Sequence, residues 1–345
     1  MKFISKAGLF SALALGLAIT AGPTQAQTPG AGKTIRFAHS DALTAAHVTD
    51  YIMAAAMEKM GYAVKFTQIN FNAFMQAATV GEMDVVASVN WPQREPPYRK
   101  FEKTLAVLGK GIIINGGING YLIDKATSEK YKITNMDQLK DPKLAALFDT
   151  DGDGKADLAN CDPGWSCGDV VDFQLKAFGL QDTVRSVRGR YELLLGQTIA
   201  RVRRGEPAIF YTWSPSWVVG TVVPGKDVVW LPSPFSVLPE GVQQVNDPMV
   251  KGVVGCAGGQ DPCRMTIGGW NYRVVANRDF LAKNAAVNKL LETAEWPIEE
   301  WTNWETEISK GAKDERAWKA LADAWIGKNQ KKFDDWLKTA LAAGS

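Results

Sequence analysis

A chain of 345 residues has room for two ordinary domains. Its net charge of +2, with 22% charged residues, excludes the clustered Lys and Arg of a nucleic-acid footprint, and the basic run Arg201, Arg203, Arg204 reads as a solvated helix end. Only two histidines, His39 and His47, are present; this removes most routes to acid–base or nucleophilic catalysis and argues against an enzyme.

Lys2 and Lys6 precede an apolar run from Ala7 to Ala21, and Thr24-Gln25-Ala26 ends on the small residue that signal peptidase requires. This is a secretory signal over residues 1–26, too short and wrongly flanked for a stable membrane span; a retained N-terminal anchor is the alternative. The mature chain is expected to begin at Gln27, with a flexible lead-in from Thr28 to Gly32. No later stretch is a long apolar run, so the exported chain is expected to be soluble.

Thr34 to Ala38 reads as a strand, His39 to Thr44 as a loop, and Ala45 to Met60 as a helix stopped by Gly61. A strand at Tyr62 to Phe66, a helix at Phe71 to Gly81 and a buried strand at Asp84 to Val89 follow, the last ending at Asn90-Trp91-Pro92. This alternation predicts an α/β fold with helices on both faces of a parallel sheet. Ligands of such sheets gather at the carboxyl ends of the strands, where Trp91 sits. Ile112 to Ile114 and Tyr121 to Ile123 read as strands on either side of the glycine-rich Asn115 to Gly120, which suits a crossover into a second lobe. Short helices are expected at Met136 to Leu139 and Pro142 to Leu147, a longer one at Cys167 to Phe178, and strands at Ala208 to Tyr211 and Val228 to Leu231. Arg273 to Ala276 marks the return to the first lobe, and Asn284 to Ala343 is helical. The first lobe thus takes residues 33–120 and 265–345, the second residues 121–264.

The cysteines form two close pairs, Cys161 with Cys167 and Cys256 with Cys263, which in an oxidising compartment reads as two small-loop disulfides. Zinc fails on spacing and on the absence of nearby histidine. Of twelve tryptophans, Trp296, Trp301, Trp304, Trp318, Trp325 and Trp336 lie on C-terminal helices and Trp230 within a strand, all read as packing residues. Trp91, Trp165 and Trp213 each end a strand or precede a helix beside Pro or Gly. Aromatic faces converging there would hold a quaternary ammonium through the ring quadrupole; sealing the surface between lobes is the equal alternative.

Val89-Asn90-Trp91-Pro92, Gly120 to Lys125, Asp149 to Cys167, Phe210 to Trp217 and Gly225 to Leu231 together make the chain resemble the periplasmic glycine betaine/proline betaine-binding proteins of ABC transporters, from about Ile35 to Leu341. The resemblance implies a hinged two-lobed periplasmic-binding-protein fold of type II, a monomer in the periplasm, and an inner-membrane ABC permease as partner. The cage falls on Trp91, Trp165 and Trp213, with Trp217 as a supporting aromatic and the loop disulfide on Cys161 and Cys167. The family's carboxylate-binding N–H groups map to Ser166 and Cys167, at the start of a helix whose positive end favours an anion.

Two departures bear on the ligand. Glu95 stands where the family has a carboxylate-binding histidine, and a carboxylate facing a carboxylate would repel it by several kcal/mol at an effective dielectric of about 20. Either Arg94 turns inward in its place, or the ligand lacks a carboxylate, as trimethylamine N-oxide and choline do. Trp270 replaces the small residue usual there and could add a fourth wall; packing beside the second disulfide loop is the alternative. Separately, Asp149, Asp151, Asp153, Gly154, Lys155 and Asp157 match the first nine positions of a calcium loop, although Asn160 occupies the twelfth. One structural calcium is expected, the alternative being an Asx-turn loop held by its own side chains. No organic cofactor is expected: a GxGxxG fingerprint is missing and with it the main support for an amine-processing enzyme. A sensor-associated binding protein is the remaining alternative to a transport receptor.

Overall fold

A computed structural model describes Met1, residues 28–114 and residues 116–344; residues 2–26 of the expected secretory signal lie outside these. Five strands build the first lobe. Thr34–His39 lies between Ala63–Gln68 and Val85–Trp91, parallel to both, and Ile267–Asn277 runs antiparallel to Val85–Trp91 and Leu105–Leu108. In the second lobe Gly117–Asp124 pairs antiparallel with Ile209–Ser214 and Val228–Leu231, and Ala156–Ala159 lies parallel to Ile209–Ser214 and Val184–Val187. Ile267–Asn277 also pairs with Gly117–Asp124, so one strand joins the lobes into a single 10-stranded sheet, with Leu105–Leu108 and Val228–Leu231 as side branches. Its register shifts between Ile267 and Trp270 on one side and between Arg273 and Val275 on the other.

Local signals explain the elements that bring the chain to the cleft. Gly61, at φ 92°, ends the helix Ala46–Lys59. Asn70 caps Phe71–Thr79 by accepting the Ala73 N–H at 3.0 Å. The helix Ala46–Lys59 is buried nearly all round, because Glu315–Lys328 covers the face a surface helix would give to water. The helix Ile298–Lys310 instead packs on Trp217–Thr221 of the second lobe. Ile112 to Ile114 does not form the expected strand: Ile113 makes one isolated bridge to Trp296, and the pairing edge belongs to Leu105–Leu108. Met136–Lys140 is a 3₁₀ turn.

Trp296, Trp301, Trp304, Trp325 and Trp336 are buried and Trp318 half-buried, as expected of packing residues. Trp296 meets Trp304, Trp325 and Trp336 edge-on at 6.4, 5.9 and 5.2 Å between ring centres. Both disulfides are formed, Cys161–Cys167 and Cys256–Cys263. Among the described residues no helix is long and apolar enough to cross a membrane.

Candidate ligand-binding cavity

A cavity of about 80 Å³ lies between the lobes. The first lobe contributes the loop Ser40-Asp41-Ala42, Phe71, Asn90, Gln93, Arg94 and Tyr272; the second contributes Asn119, Trp165, Ser166, Cys167 and Trp213. Of the residues singled out from sequence, Trp165, Trp213, Ser166 and Cys167 therefore meet at one cleft.

The second-lobe wall is built by a turn and a strand end. Gly164, at φ 89°, turns the chain so that Trp165 caps the helix Ser166–Ala177. Trp213 stands at the end of Ile209–Ser214, 6.5 Å from Trp165 between ring centres, with Tyr191 stacked behind it at 5.2 Å. The first N–H groups of the helix, those of Ser166 and Cys167, have no partner within it and carry its positive end to the cavity.

The first-lobe wall is polar. Trp165 Nε1 donates to Asp41 Oδ2 at 3.2 Å, and the Arg94 guanidinium donates to the Gly164 carbonyl at 3.2 and 3.3 Å, so both bonds cross from lobe to lobe. Arg94 is 8% exposed and stacks over Phe71 at 5.4 Å. Burial pulls its pKa down to about 10, with Asp41 and Asp169 holding it up, so it stays cationic at neutral pH. Asn90 Oδ1 is buried on the cavity with no protein partner, the condition expected of a group waiting for a solute, while the Gln93 and Asn119 side chains lie beside the buried Tyr211 hydroxyl. Tyr272 OH lies 3.4 Å from Thr44 Oγ1, which donates to Glu305 Oε1 at 3.1 Å; the Ala45 N–H donates to the same oxygen at 2.8 Å. Burial raises the Glu305 carboxyl to about 7.

Three expected site residues lie elsewhere. Trp91 pairs with Asn271 and Asn90 with Tyr272, so strand alternation turns Asn90 and Tyr272 to the cavity and Trp91 to the other face. There Trp91 packs against Tyr98 at 5.8 Å under the Arg273 guanidinium at 5.7 Å. Glu95 opens the turn Glu95–Tyr98 and pairs with Arg99 at 2.8 Å, leaving the inward place to Arg94. Trp270 is 2% exposed, donates from Nε1 to the Ile118 carbonyl at 3.2 Å and backs Tyr272 edge-on at 5.1 Å. It fits because Gly117 has no side chain: a Cβ there would stand 2.5 Å from the indole nitrogen. Asp41, Gln93, Asn119 and Tyr272 carry no signal of their own in the sequence, since only long-range pairing brings them together.

The acidic loop leading to Trp165 is organised by its own groups. Asp149 accepts the N–H groups of Asp151, Gly152 and Gly154 at 3.0, 2.7 and 2.7 Å, which hold its carboxyl below the usual range. Arg185 lies 2.5 Å from both Asp151 and Asp157. One oxygen from each of Asp149, Asp151 and Asp153 falls within 4.8 Å of the others, whereas Asp157 is turned to Arg185 and Thr150.

An aromatic wall and a helix N-terminus on one lobe, facing a buried cation on the other across a cleft, is the geometry of a receptor that closes on a small polar solute. Residues 33–328 match the family described as the substrate-binding domain of the ABC-type glycine betaine transport system. The chain belongs to this family. Members of the family are binding components of ABC transporters and not enzymes. Similar relatives include the glycine betaine-binding periplasmic protein OusX of Dickeya dadantii, 38% identical over 91% of this chain and 92% of that one. The glycine betaine/proline betaine-binding periplasmic protein of Escherichia coli is 36% identical over 92% and 93%. Among solved structures, an ABC-transporter choline-binding protein in complex with choline matches at a TM-score of 0.67 and 16% identity, over 90% of this chain and 96% of that one. That likeness speaks for the two-lobed fold.

Proposed function

We propose that this chain is the exported, monomeric receptor of an importer for a small methylated ammonium zwitterion of the glycine betaine class, which it presents to an inner-membrane permease. The observation that carries the reading is Arg94: a buried guanidinium in the cavity wall, beside a helix N-terminus and opposite Trp165 and Trp213. The ammonium group rests on the indole faces, with Tyr272 on a third side. The carboxylate takes Arg94 and the Ser166 and Cys167 N–H groups, and so offsets a charge that is costly to bury alone. Glu95, turned to Arg99, does not oppose it. Calorimetric titration with glycine betaine, choline and trimethylamine N-oxide in parallel tests this. Betaine should bind tightest, and Arg94→Gln should weaken it by about 10- to 100-fold, as expected of a charge-assisted hydrogen bond, while leaving choline nearly unchanged. Tighter binding of choline or the N-oxide would overturn it.

A second reading rests on Asp41, a carboxylate on the same cavity. It would balance a cation directly and favour a ligand without a carboxylate, such as trimethylamine N-oxide or choline. In that case Asp41→Asn, and not Arg94→Gln, is the damaging change. For the acidic loop, we propose a structural calcium held by Asp149, Asp151, Asp153 and the Lys155 carbonyl, with Arg185 keeping Asp157.

A further inference from the structure

Residues 232–248, between Val228–Leu231 and Met249–Val250, form no helix or strand of their own. Loops beyond roughly 12–15 residues without internal structure are uncommon, and an ordered one is usually functional. Pro232, Pro234, Pro239 and Pro248 hold this one extended. Near its start the Val237 carbonyl accepts from Gln174 Nε2 at 2.8 Å. Gln174 is fully buried and accepts the Tyr121 hydroxyl at 2.6 Å on its other atom. It lies about two turns along the helix whose first N–H groups face the cavity. At its middle the loop reaches the first lobe: a Cβ on Gly241 would stand 3.3 Å from Pro96, in the turn Glu95–Tyr98 that follows Arg94.

At its end the loop lies on the strand shared by both lobes. Gln244 Nε2 donates to the Thr266 carbonyl at 3.1 Å, Gln244 Oε1 accepts the Gly268 N–H at 3.2 Å, and the Met265 N–H donates to the Pro248 carbonyl at 2.9 Å. The pairing of that strand with Gly117–Asp124 shifts register between Ile267 and Trp270. A side-chain amide thus takes up main-chain groups where the ladder is irregular. The close approach requires glycine: a Cβ on Gly268 would stand 2.1 Å from the Asp247 carbonyl oxygen, and one on Gly269 2.3 Å from Asn246 Nδ2. We propose that residues 232–248 are a strap that fastens the lobes in their closed arrangement, with Gln244 as the positioning residue that ties it to the pivot strand. Parting the lobes draws Pro96 off Gly241 while Gln174 keeps Val237 with the second lobe, so the strap resists opening at the strand that must twist. Gln244 is not among the residues that line the cavity. The strap rests on the binding role proposed above, though not on which solute fills the cleft.

The test uses the full mature chain and two readouts. Small-angle X-ray scattering without added solute reads how far the lobes stand apart. Stopped-flow tryptophan fluorescence reads release of glycine betaine, with choline and trimethylamine N-oxide in parallel. Gln244→Ala should enlarge the radius of gyration and speed release about tenfold, the loss expected of two neutral hydrogen bonds, with association unchanged within about twofold. Gly268→Ala, which pushes Asp247 off the strand, should do the same, and Gln244→Glu, which keeps the acceptor for the Gly268 N–H, should fall between. Gln260→Ala removes bonds to the Thr134 and Ala257 carbonyls within the second lobe; it should leave both readouts at wild type, whatever it costs in melting temperature. Wild-type scattering or wild-type release in Gln244→Ala, even with a lower melting temperature, would overturn the strap. A wild-type chain that binds none of the three ligands would instead fault the binding role, and scattering alone would then decide the strap.

Discussion

Two groups of tryptophans in this molecule have the same chemistry and opposite surroundings. Around Trp296 the neighbours are Trp304, Trp325 and Trp336, and the ring is wholly buried among them. Trp165 and Trp213 are nearly as buried, at 8% and 7% exposed, but part of what covers them is the opposite lobe, across a cavity. A ring enclosed by other rings contributes stability; a ring with one face on a closable void holds binding energy in reserve. What separates the two is position. Trp304, Trp325 and Trp336 sit within helices that close around Trp296, itself on the link before Ile298–Lys310 rather than on a helix as expected. The second group sits at a cap and a strand end, where the backbone hands the side chain to the cleft.

The comparison can be broken most severely at its core end. Trp296→Ala should destabilise the fold by about 3–5 kcal/mol, read by denaturant unfolding, while molecules that still fold bind solute with unchanged affinity. Next comes Glu305, which links the regions: it lies on the helix of Trp301 and Trp304 and reaches Tyr272 through Thr44. Its folded pKa of about 7 lies above the ordinary 4.5, so the folded state holds a proton the unfolded chain releases. Stability is therefore full below about pH 4.5 and falls as pH rises through 7, by on the order of 3 kcal/mol. Glu305→Gln should remove that fall, melting higher than wild type at pH 8 and about the same at pH 4.

At the cavity end, Trp165→Ala should cost about 2 kcal/mol of binding, roughly 30-fold in affinity by calorimetry, with a smaller loss of stability than Trp296→Ala. A change confined to stability would move Trp165 into the packing group. Chelation should lower the melting temperature by about 2–5 °C if calcium stiffens the loop before Trp165; an unchanged melt would leave that loop to the pairing of Asp151, Asp153 and Asp157 with Arg185. Smallest of all, Trp91→Ala should alter affinity by less than about twofold, because its ring lies on the far face under Arg273.

Much of this was legible in the residues. Apolar periodicity located Thr34–His39, Ala46–Lys59 and Val228–Leu231 closely, and the cysteine spacing gave both disulfides, because these depend on near neighbours. Pro and Gly neighbours at strand ends and helix starts single out Trp91, Trp165 and Trp213, and the last two line the cavity. Trp91 could not be placed, since alternation says which residues share a face but not which face meets the cleft; that is decided by pairing with Tyr272, far along the chain. The inward turn of Arg94 had a readable clue, for Glu95 and Arg99 are one helical turn apart and can satisfy each other. The strand Leu105–Leu108 was missed because its partner is also distant.

The strand Ile267–Asn277 has a mechanical consequence. It is shared by both sheets, and Tyr272 lies between its two register shifts. Rotation of one lobe against the other is then a torsion of this strand, with the solute one side chain from the pivot. The elastic work of that torsion is subtracted from whatever the cleft gains on closing. Substitutions that soften or stiffen the pivot would thus retune the dissociation constant without touching a single ligand contact.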